Sequence, residues 1–537
     1  MNKKRKKIIS VVAVVVLIAI TFGIIGTALT IDDGMFYNNT PMKITPNSEV
    51  IGSIEVSGDY ESYMFEVTQN GILTVRLDHD NLLDSLKCGF IVTLYKIVDG
   101  ETRLYKEITY FKSFWSDVTS SWGETGVTPG TYLIVVEPGL DILYSDFTIV
   151  TLFTQTESYE KELNDTKDSA TPVQIGRVYY GSGSQRVEST DTDWFTFDIE
   201  EDSCVNVSFA HADHKLPATG WTIKIYNEFD QLISDFTSKL SDTLVKTGSL
   251  GLRKGKYYVQ VETQTPVVDT YKIQVGADIA VNHEFELNDS PATATDLPVN
   301  VAVSGSLADK VLGLDKDYYK FVVPTDGVLN FEFAHNVLEG DKAGWNVRII
   351  RLEADGTQTE MIKKTSKWND SGIVISNVGL RAGTYYACID GDSLAYNSES
   401  YFCKWSFTER DDYEKEYNNT FEDANDIIFN KEYQGAIISN DTDYVFDEDY
   451  YRFTLEQETS VALEFSHTRI FESQEAWLFA IVDADGNVIA EEDCYLNEGR
   501  DNIDATVLPA GTYYVRVKGG LQGSEDVYTI KMIKSKG

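Results

Sequence analysis

Tyr159-Glu-Lys-Glu-Leu-Asn-Asp-Thr166 is the stretch on which the reading turns. It returns as Glu284-Phe-Glu-Leu-Asn-Asp-Ser290 and as Glu414-Lys-Glu-Tyr-Asn-Asn-Thr420. In an extended segment the residues at i, i+2 and i+4 point to one side. Glu160, Glu162 and Asn164 therefore share a face, as do Glu284, Glu286 and Asn288, and Glu414, Glu416 and Asn418. Asp165, Asp289 and Asn419 follow directly. Downstream, an acidic pair opens an aromatic strand: Asp191-Thr-Asp193-Trp-Phe, Asp315-Lys-Asp317-Tyr-Tyr and Asp447-Glu-Asp449-Tyr-Tyr. Five or six hard oxygens drawn from two segments, with no softer ligand among them, form the donor set that Ca2+ takes.

Working outward, a turn-and-strand signal recurs at Gly130-Thr-Tyr-Leu, Gly255-Lys-Tyr-Tyr, Gly383-Thr-Tyr-Tyr and Gly511-Thr-Tyr-Tyr. A histidine followed by an aromatic recurs as well: His79 with Phe90, His211 with Trp221, His335 with Trp345 and His467 with Trp477. The spacing predicts four units of about 125 residues, an ordinary single-domain size. Their expected bounds are 35–154, 155–279, 280–409 and 410–537. Short alternating strands between Gly, Asp and Asn turns make each unit an antiparallel β-sandwich, and the fold class all-β. A short helix is expected over Phe421–Asn425 and its counterparts.

The first unit departs from the pattern. Tyr37-Asn-Asn-Thr40 matches Tyr417-Asn-Asn-Thr420, but Gly34 and Phe36 stand where Glu414 and Glu416 stand. Its downstream pair is Asp59-Tyr-Glu61. The same fold with a degenerate metal site is expected there.

Residues 1–31 begin with Lys3-Lys-Arg-Lys-Lys7 and continue as an uncharged apolar run. This is an export signal with its positive flank held inside, either a cleaved signal peptide or a single-pass helical membrane anchor. Both place Asp32 onward on the extracellular face of the membrane or free outside the cell. The net charge of −39, from 46 Lys+Arg against 85 Asp+Glu, makes nucleic acid a poor partner, since that binding needs a cationic surface. Five cysteines without a CxxC spacing give no signal for zinc or thioredoxin chemistry. Cys388 and Cys403 are expected on paired strands with side chains on opposite faces, so all five are read as free.

Catalysis finds little support. Carboxylate pairs suit glycosidase chemistry, but here they recur once per unit on the linker, whereas a hydrolase needs one pair in one cleft. The histidines fall one per unit and cannot readily converge; a strand-end imidazole with hydrogen-bonded tips is the better reading. No Gly-x-Ser-x-Gly or His-Glu-x-x-His occurs. Most tryptophans and tyrosines are assigned to cores, with Trp115 and Trp122 as the candidates for exposure.

Taken together, Glu-x-Glu-x-Asn-Asp, Asp-x-Asp-aromatic-aromatic-x-Phe and Gly-x-Tyr-Tyr resemble the bacterial pre-peptidase C-terminal domain. They are also similar to the collagen-binding domains at the ends of clostridial collagenases. The resemblance covers nearly everything after the apolar segment. It implies a jelly-roll-like sandwich with calcium held between the preceding linker and the sandwich. Such domains usually trail a secreted protease, and no protease precedes them here. The expectation is a non-catalytic, exported surface protein whose calcium-binding modules take an extracellular polysaccharide or a collagen-like protein. The alternatives are a calcium-stiffened stalk or surface-layer component, and an accessory subunit of a secreted hydrolase.

Overall fold

The structure is a computed structural model. It describes residues 40–534 apart from 55–58, 81–86, 99–103, 122, 140–144, 185, 187–190, 265–268, 311–314, 392–396, 439–446, 470–474 and 521–523. The described strands fall into eight sheets, two from each of four successive stretches, 42–155, 171–279, 295–409 and 425–534.

The third stretch shows the plan. One sheet runs, in spatial order, Thr295–Asp296, Lys316–Val323, Gly383–Gly391, Ala343–Leu352 and Gln358–Lys367. The other runs Val303–Gly305, Tyr401–Glu409, Gly327–His335 and Gly372–Leu380. Alternation makes these strands two-faced. In Lys316–Val323, Asp317, Tyr319, Phe321 and Val323 point inward, and in Gly327–His335 the inward set includes Leu329, Phe331, Phe333 and His335. They meet around Trp345, which is fully buried, with Val347, Ile349, Tyr385, Ile389 and Tyr401. Each of the other three stretches has its own such core.

Three expectations need correction. The sandwiches are not purely antiparallel. In one sheet of each stretch a two-residue edge strand pairs in parallel with its neighbour: Met42–Lys43, Thr171–Pro172, Thr295–Asp296 and Asn425–Asp426. The chain leaves this edge, lays a strand on the opposite sheet (Val303–Gly305 in the third stretch), and only then returns; that crossover is what permits parallel pairing. Second, no α-helix occurs among the described residues. Phe421–Asn425 is a turn leading straight into the strand Asn425–Asp426, and its counterpart Lys167–Ser169 is a single 3-10 turn. Phe421 packs on Tyr514 and Tyr450, at ring distances of 4.2 and 5.1 Å, and the strand beginning at Asn425 leaves no length for a helix. Third, Cys388 and Cys403 lie in different sheets rather than on paired strands; all five cysteines are free. No helix of the described residues is long and apolar enough to cross a membrane. The apolar helix expected over residues 1–31 lies outside the described residues.

The recurrent markers have a common physical basis. In every Gly-x-Tyr the tyrosine hydroxyl donates to the carbonyl four residues back: Tyr132 to Thr128, Tyr257 to Arg253, Tyr385 to Arg381 and Tyr513 to Pro509. This is the tyrosine-corner device that clamps a sandwich turn. Tyr385→Phe should lower the stability of the third unit by about 1 kcal/mol, the worth of one such bond, read as a lower unfolding midpoint in calorimetry on the full chain. The histidines are tied at both ring nitrogens. His335 bonds the Asn336 carbonyl at 2.8 Å and Ser366 Oγ at 2.7 Å, and its ring lies 3.9 Å from that of Trp345. Trp115 is fully buried, against the expectation of exposure. Phe90 stands where the other units have tryptophan, and Trp115 fills the remaining space against Phe90 and His79 at 5.3 and 5.5 Å. Trp122 lies outside the described residues.

Candidate functional site

The acidic linkers are stitched to both neighbouring sandwiches by their backbone. Glu284 N donates to Ser304 O at 2.9 Å, in the following sandwich, and Glu286 N to Gly251 O at 2.8 Å, in the preceding one. Glu414 N and Glu416 N repeat this with Gln434 O and Gly379 O, and Glu160 N donates to Tyr180 O. The approach needs glycine. A Cβ on Gly126, Gly251 or Gly379 would stand 2.1, 1.9 or 2.1 Å from the carbonyl oxygen of Glu160, Glu284 or Glu414. The peptide bonds Glu162–Leu163, Glu286–Leu287 and Glu416–Tyr417 are cis.

Held this way, the linker aims its first two glutamates and its asparagine into the following sandwich, all three buried except Glu286, which is half-buried with its carboxylate oxygens enclosed. In the third unit Glu284 accepts from Ser306 N at 2.6 Å, Tyr319 Oη at 2.7 Å and Asn288 Nδ2 at 3.0 Å. Asp315 accepts from Ala308 N at 2.6 Å, and Asp317 from Tyr401 Oη. The second unit repeats this with Ser182 on Glu160, Ser184 N on Asp191 and Tyr271 on Asp193. The fourth does so with Ala436 N and Tyr451 on Glu414, Ile438 N on Asp447 and Tyr528 on Asp449. A second set of glycines clears room. A Cβ on Gly181, Gly305 or Gly435 would sit 2.5 to 2.6 Å from a carboxylate oxygen of Glu160, Glu284 or Glu414.

Most of the expected ligands thus converge. One oxygen from each of Glu160, Glu162 and Asp193 lies within 4.8 Å of the others; so do those of Glu286, Asp315 and Asp317, and of Glu414, Glu416 and Asp449. At that separation two buried carboxylates repel by roughly 3.5 kcal/mol at an effective dielectric of about 20. Burial first, and the neighbouring carboxylates second, push Glu160 up to about 8 and hold Glu162, Glu286, Asp317, Glu416 and Asp449 well above the usual range. Burial is likewise the first cause that raises Asp315 to about 7, Asp191 to about 6 and Asp447 to about 6.

The decisive atoms are those left without a partner. Both carboxylate oxygens of Glu286, Asn288 Oδ1 and Asp317 Oδ1 are buried and accept no hydrogen bond. Both oxygens of Glu416, Asn418 Oδ1 and Asp449 Oδ1 repeat the set in the fourth unit, and Asn164 Oδ1 and Asp193 Oδ1 in the second. Buried polar atoms are nearly always paired, so converging oxygen orphans fit a hard divalent cation of the calcium type. Asp165 and Asp289 do not line this inner set; they pair with Arg186 and with Lys310, the latter at 2.9 Å.

The first unit has no such group among its described residues. Asp59 is exposed, and Glu61 stands where Asp193, Asp317 and Asp449 stand. Phe147 replaces the hydroxyl-bearing Tyr271, Tyr401 and Tyr528, and Tyr63 Oη has no partner. Gly34 and Phe36 lie outside the described residues. Exchange of the backbone amides of Glu61–Val67 should be the same in calcium and in chelator, as read by mass spectrometry on the full chain; a change there would place a ligand in this unit.

Residues 447–519 match the family model described as the bacterial pre-peptidase C-terminal domain. The fourth unit carries a pre-peptidase C-terminal domain. Its match runs from Asp447, the first residue of the acidic pair, to Gly519, the end of the strand that opens with Gly511-Thr-Tyr-Tyr. Among solved structures the chain is similar to the pre-peptidase C-terminal domain of collagenase from Bacillus anthracis (16% identity, 21% of this chain, 99% of that one, TM-score 0.17). It is also similar to a Paenibacillus xanthan lyase (9% identity, 91% of this chain, 58% of that one, TM-score 0.15). No curated protein matches the chain.

Sequence reasoning missed the glycines behind the linker, the two bases beside it and the bonds from the buried tyrosine hydroxyls to the acidic residues. The glycines had a signal: Gly126, Gly251 and Gly379 each precede the Gly-x-Tyr glycine by four residues, whereas Val507 takes that place in the fourth unit.

Proposed function

We propose that this is a non-catalytic protein working outside the cytoplasm as a spacer of four modules, with calcium sites at three of its linkers. The observation that carries this reading is the set of unpartnered oxygens on Glu286, Asn288 and Asp317. The first two residues belong to the linker and the third to the sandwich after it, so a cation shared by them ties one to the other. Glu160, Glu162, Asn164 and Asp193, and Glu414, Glu416, Asn418 and Asp449, would hold the ions of the second and fourth units. Calcium supplies the charge neutralisation; the chain supplies rigid, desolvated donors set by tyrosine and backbone hydrogen bonds. The pre-peptidase C-terminal match and the apolar N-terminal run both favour a place outside the cell. Small-angle scattering on the full chain tests the reading. A more extended, stiffer particle in calcium than in chelator supports it, and identical curves count against it.

A second reading, attachment to an extracellular polysaccharide or collagen-like protein, is favoured by one surface. On the outer face of the second unit's sheet that carries Thr171–Pro172, Trp194, Tyr226 and Tyr258 are half-buried; the first two stack at 5.5 Å, and Lys167 lies 4.4 Å above the Tyr258 ring. Flat aromatic faces with polar edges suit a sugar ring or a proline-rich strand. Sedimentation with insoluble polysaccharides and collagens, comparing the native chain with Trp194→Ala, decides whether this face binds.

A further inference from the structure

The three acidic clusters differ in one respect that their shared motif hides. In the second unit the Arg186 guanidinium, almost fully buried, reaches into the cluster. Its Nη2 lies 3.3 and 3.4 Å from the two oxygens of Glu162 and 2.8 Å from Asp191 Oδ1, and Nη1 pairs with Asp165. Its Nε donates to Ile108 O at 3.0 Å, in the first unit. One side chain thus touches the linker, the sandwich after it and the sandwich before it. In the third unit Lys310 Nζ takes part of that role, at 2.6 Å from Asp315 and 2.9 Å from Asp289. It leaves both oxygens of Glu286 unpartnered. In the fourth unit, among the described residues, no lysine or arginine pairs with Glu414, Glu416, Asp447 or Asp449, and Asn419 replaces the aspartate.

Net charge does not separate the clusters. The second and third have five carboxylates against one base, and the fourth has four against none, the same balance. What differs is which carboxylates the positive charge holds. Arg186 engages both oxygens of a glutamate in the inner set; Lys310 engages one oxygen of Asp315. An arginine stays charged at any working pH and grips carboxylates through a fixed fork. A metal ion entering the second cluster must share or displace that grip.

We propose that Arg186 is a built-in counter-cation that closes the first-to-second junction without metal, and that Lys310 does so in part at the next, leaving the third-to-fourth junction dependent on calcium. This rests on the calcium reading above and ranks its three sites. Calcium affinity should rise from the second unit to the fourth, and chelation should loosen the junctions in the reverse order.

The test is amide hydrogen exchange on the full chain, in calcium and in chelator, followed in three segments, 159–166, 283–290 and 413–420. In chelator, exchange in 413–420 should accelerate by roughly a hundredfold if calcium had stood at a hundred times its dissociation constant. Segment 283–290 should respond less, and 159–166 should not respond. Arg186→Gln should make 159–166 as chelator-sensitive as 413–420, and Arg186→Lys should keep part of the protection. Unchanged exchange in the strands Gly255–Thr263 and Thr270–Ile279 shows that the variant is folded; should Arg186→Gln unfold the unit, the ranking of the three native junctions decides alone. Equal acceleration at all three overturns the ranking and leaves the calcium reading standing. No acceleration anywhere, with no heat on titrating calcium into the full chain, overturns both.

Discussion

Gly251→Ala should break the junction between the second and third sandwiches while leaving both sandwiches folded. The added methyl would stand 1.9 Å from Glu284 O and 2.8 Å from His283 Nδ1. The first of these is backbone, and the Glu284 amide is itself bonded to Ser304, so it cannot step aside. The linker has to lift, giving up the Glu286 N to Gly251 O bond and misaligning Glu286. Forcing a methyl into such a contact costs typically about 1–3 kcal/mol, occasionally more. At about 1.4 kcal/mol per decade, exchange in 283–290 should rise roughly five- to 150-fold. Gly255→Ala is the control, since a Cβ there finds nothing nearer than 3.6 Å. Equal behaviour of the two variants would mean that the linker is not clamped by the preceding sandwich.

Glu286→Gln should have opposite effects with and without calcium. Both oxygens of this side chain are buried and unpartnered, and Asp315 and Asp317 face it. In chelator the substitution removes a buried charge that repels its neighbours, so the third unit should become more stable. Allowing for relaxation, the gain is about 1–3 kcal/mol out of the roughly 3.5 kcal/mol expected per close pair. In calcium the same change removes a ligand. The loss then approaches the linkage stabilisation of the site, about 2.7 kcal/mol at a hundredfold excess over the dissociation constant. Calorimetry of the full chain in the two buffers should show the transition of the third unit moving up in chelator and down in calcium. A shift of one sign in both would mean that Glu286 is structural and not a cation ligand.

How much of this was legible in the sequence can be judged residue by residue. The sandwich pattern was, because alternation and the turn before each Gly-x-Tyr are local properties of the chain. Glu286, Asp315 and Asp317 were legible as a group because the motif repeats with its spacing kept, and a repeat exposes a constraint that a single copy hides. The parallel edge strand Thr295–Asp296 was not: two residues carry no periodicity, and their pairing is set by where the crossover lands. Trp115 was misplaced because its burial depends on Phe90 being smaller than tryptophan, a relation between residues on two different strands. The roles of Asp165 and Asp289 were half legible. Their oxygens suit a cation, but the cations they meet, on Arg186 and Lys310, lie 21 residues away on the loop before the acidic pair. The tyrosine hydroxyls on Asp193, Asp317 and Asp449 come from the strand that follows the Gly-x-Tyr strand, so nothing local announces them.

The central claim is that the acidic linkers bind a divalent cation. Isothermal titration of calcium into the metal-free full chain tests it most directly. The account predicts saturable heat within the millimolar range typical of extracellular modules, from sites of unequal affinity, with one site lost in Glu286→Gln. Absence of saturable heat up to that range, with the native fold intact, would contradict it.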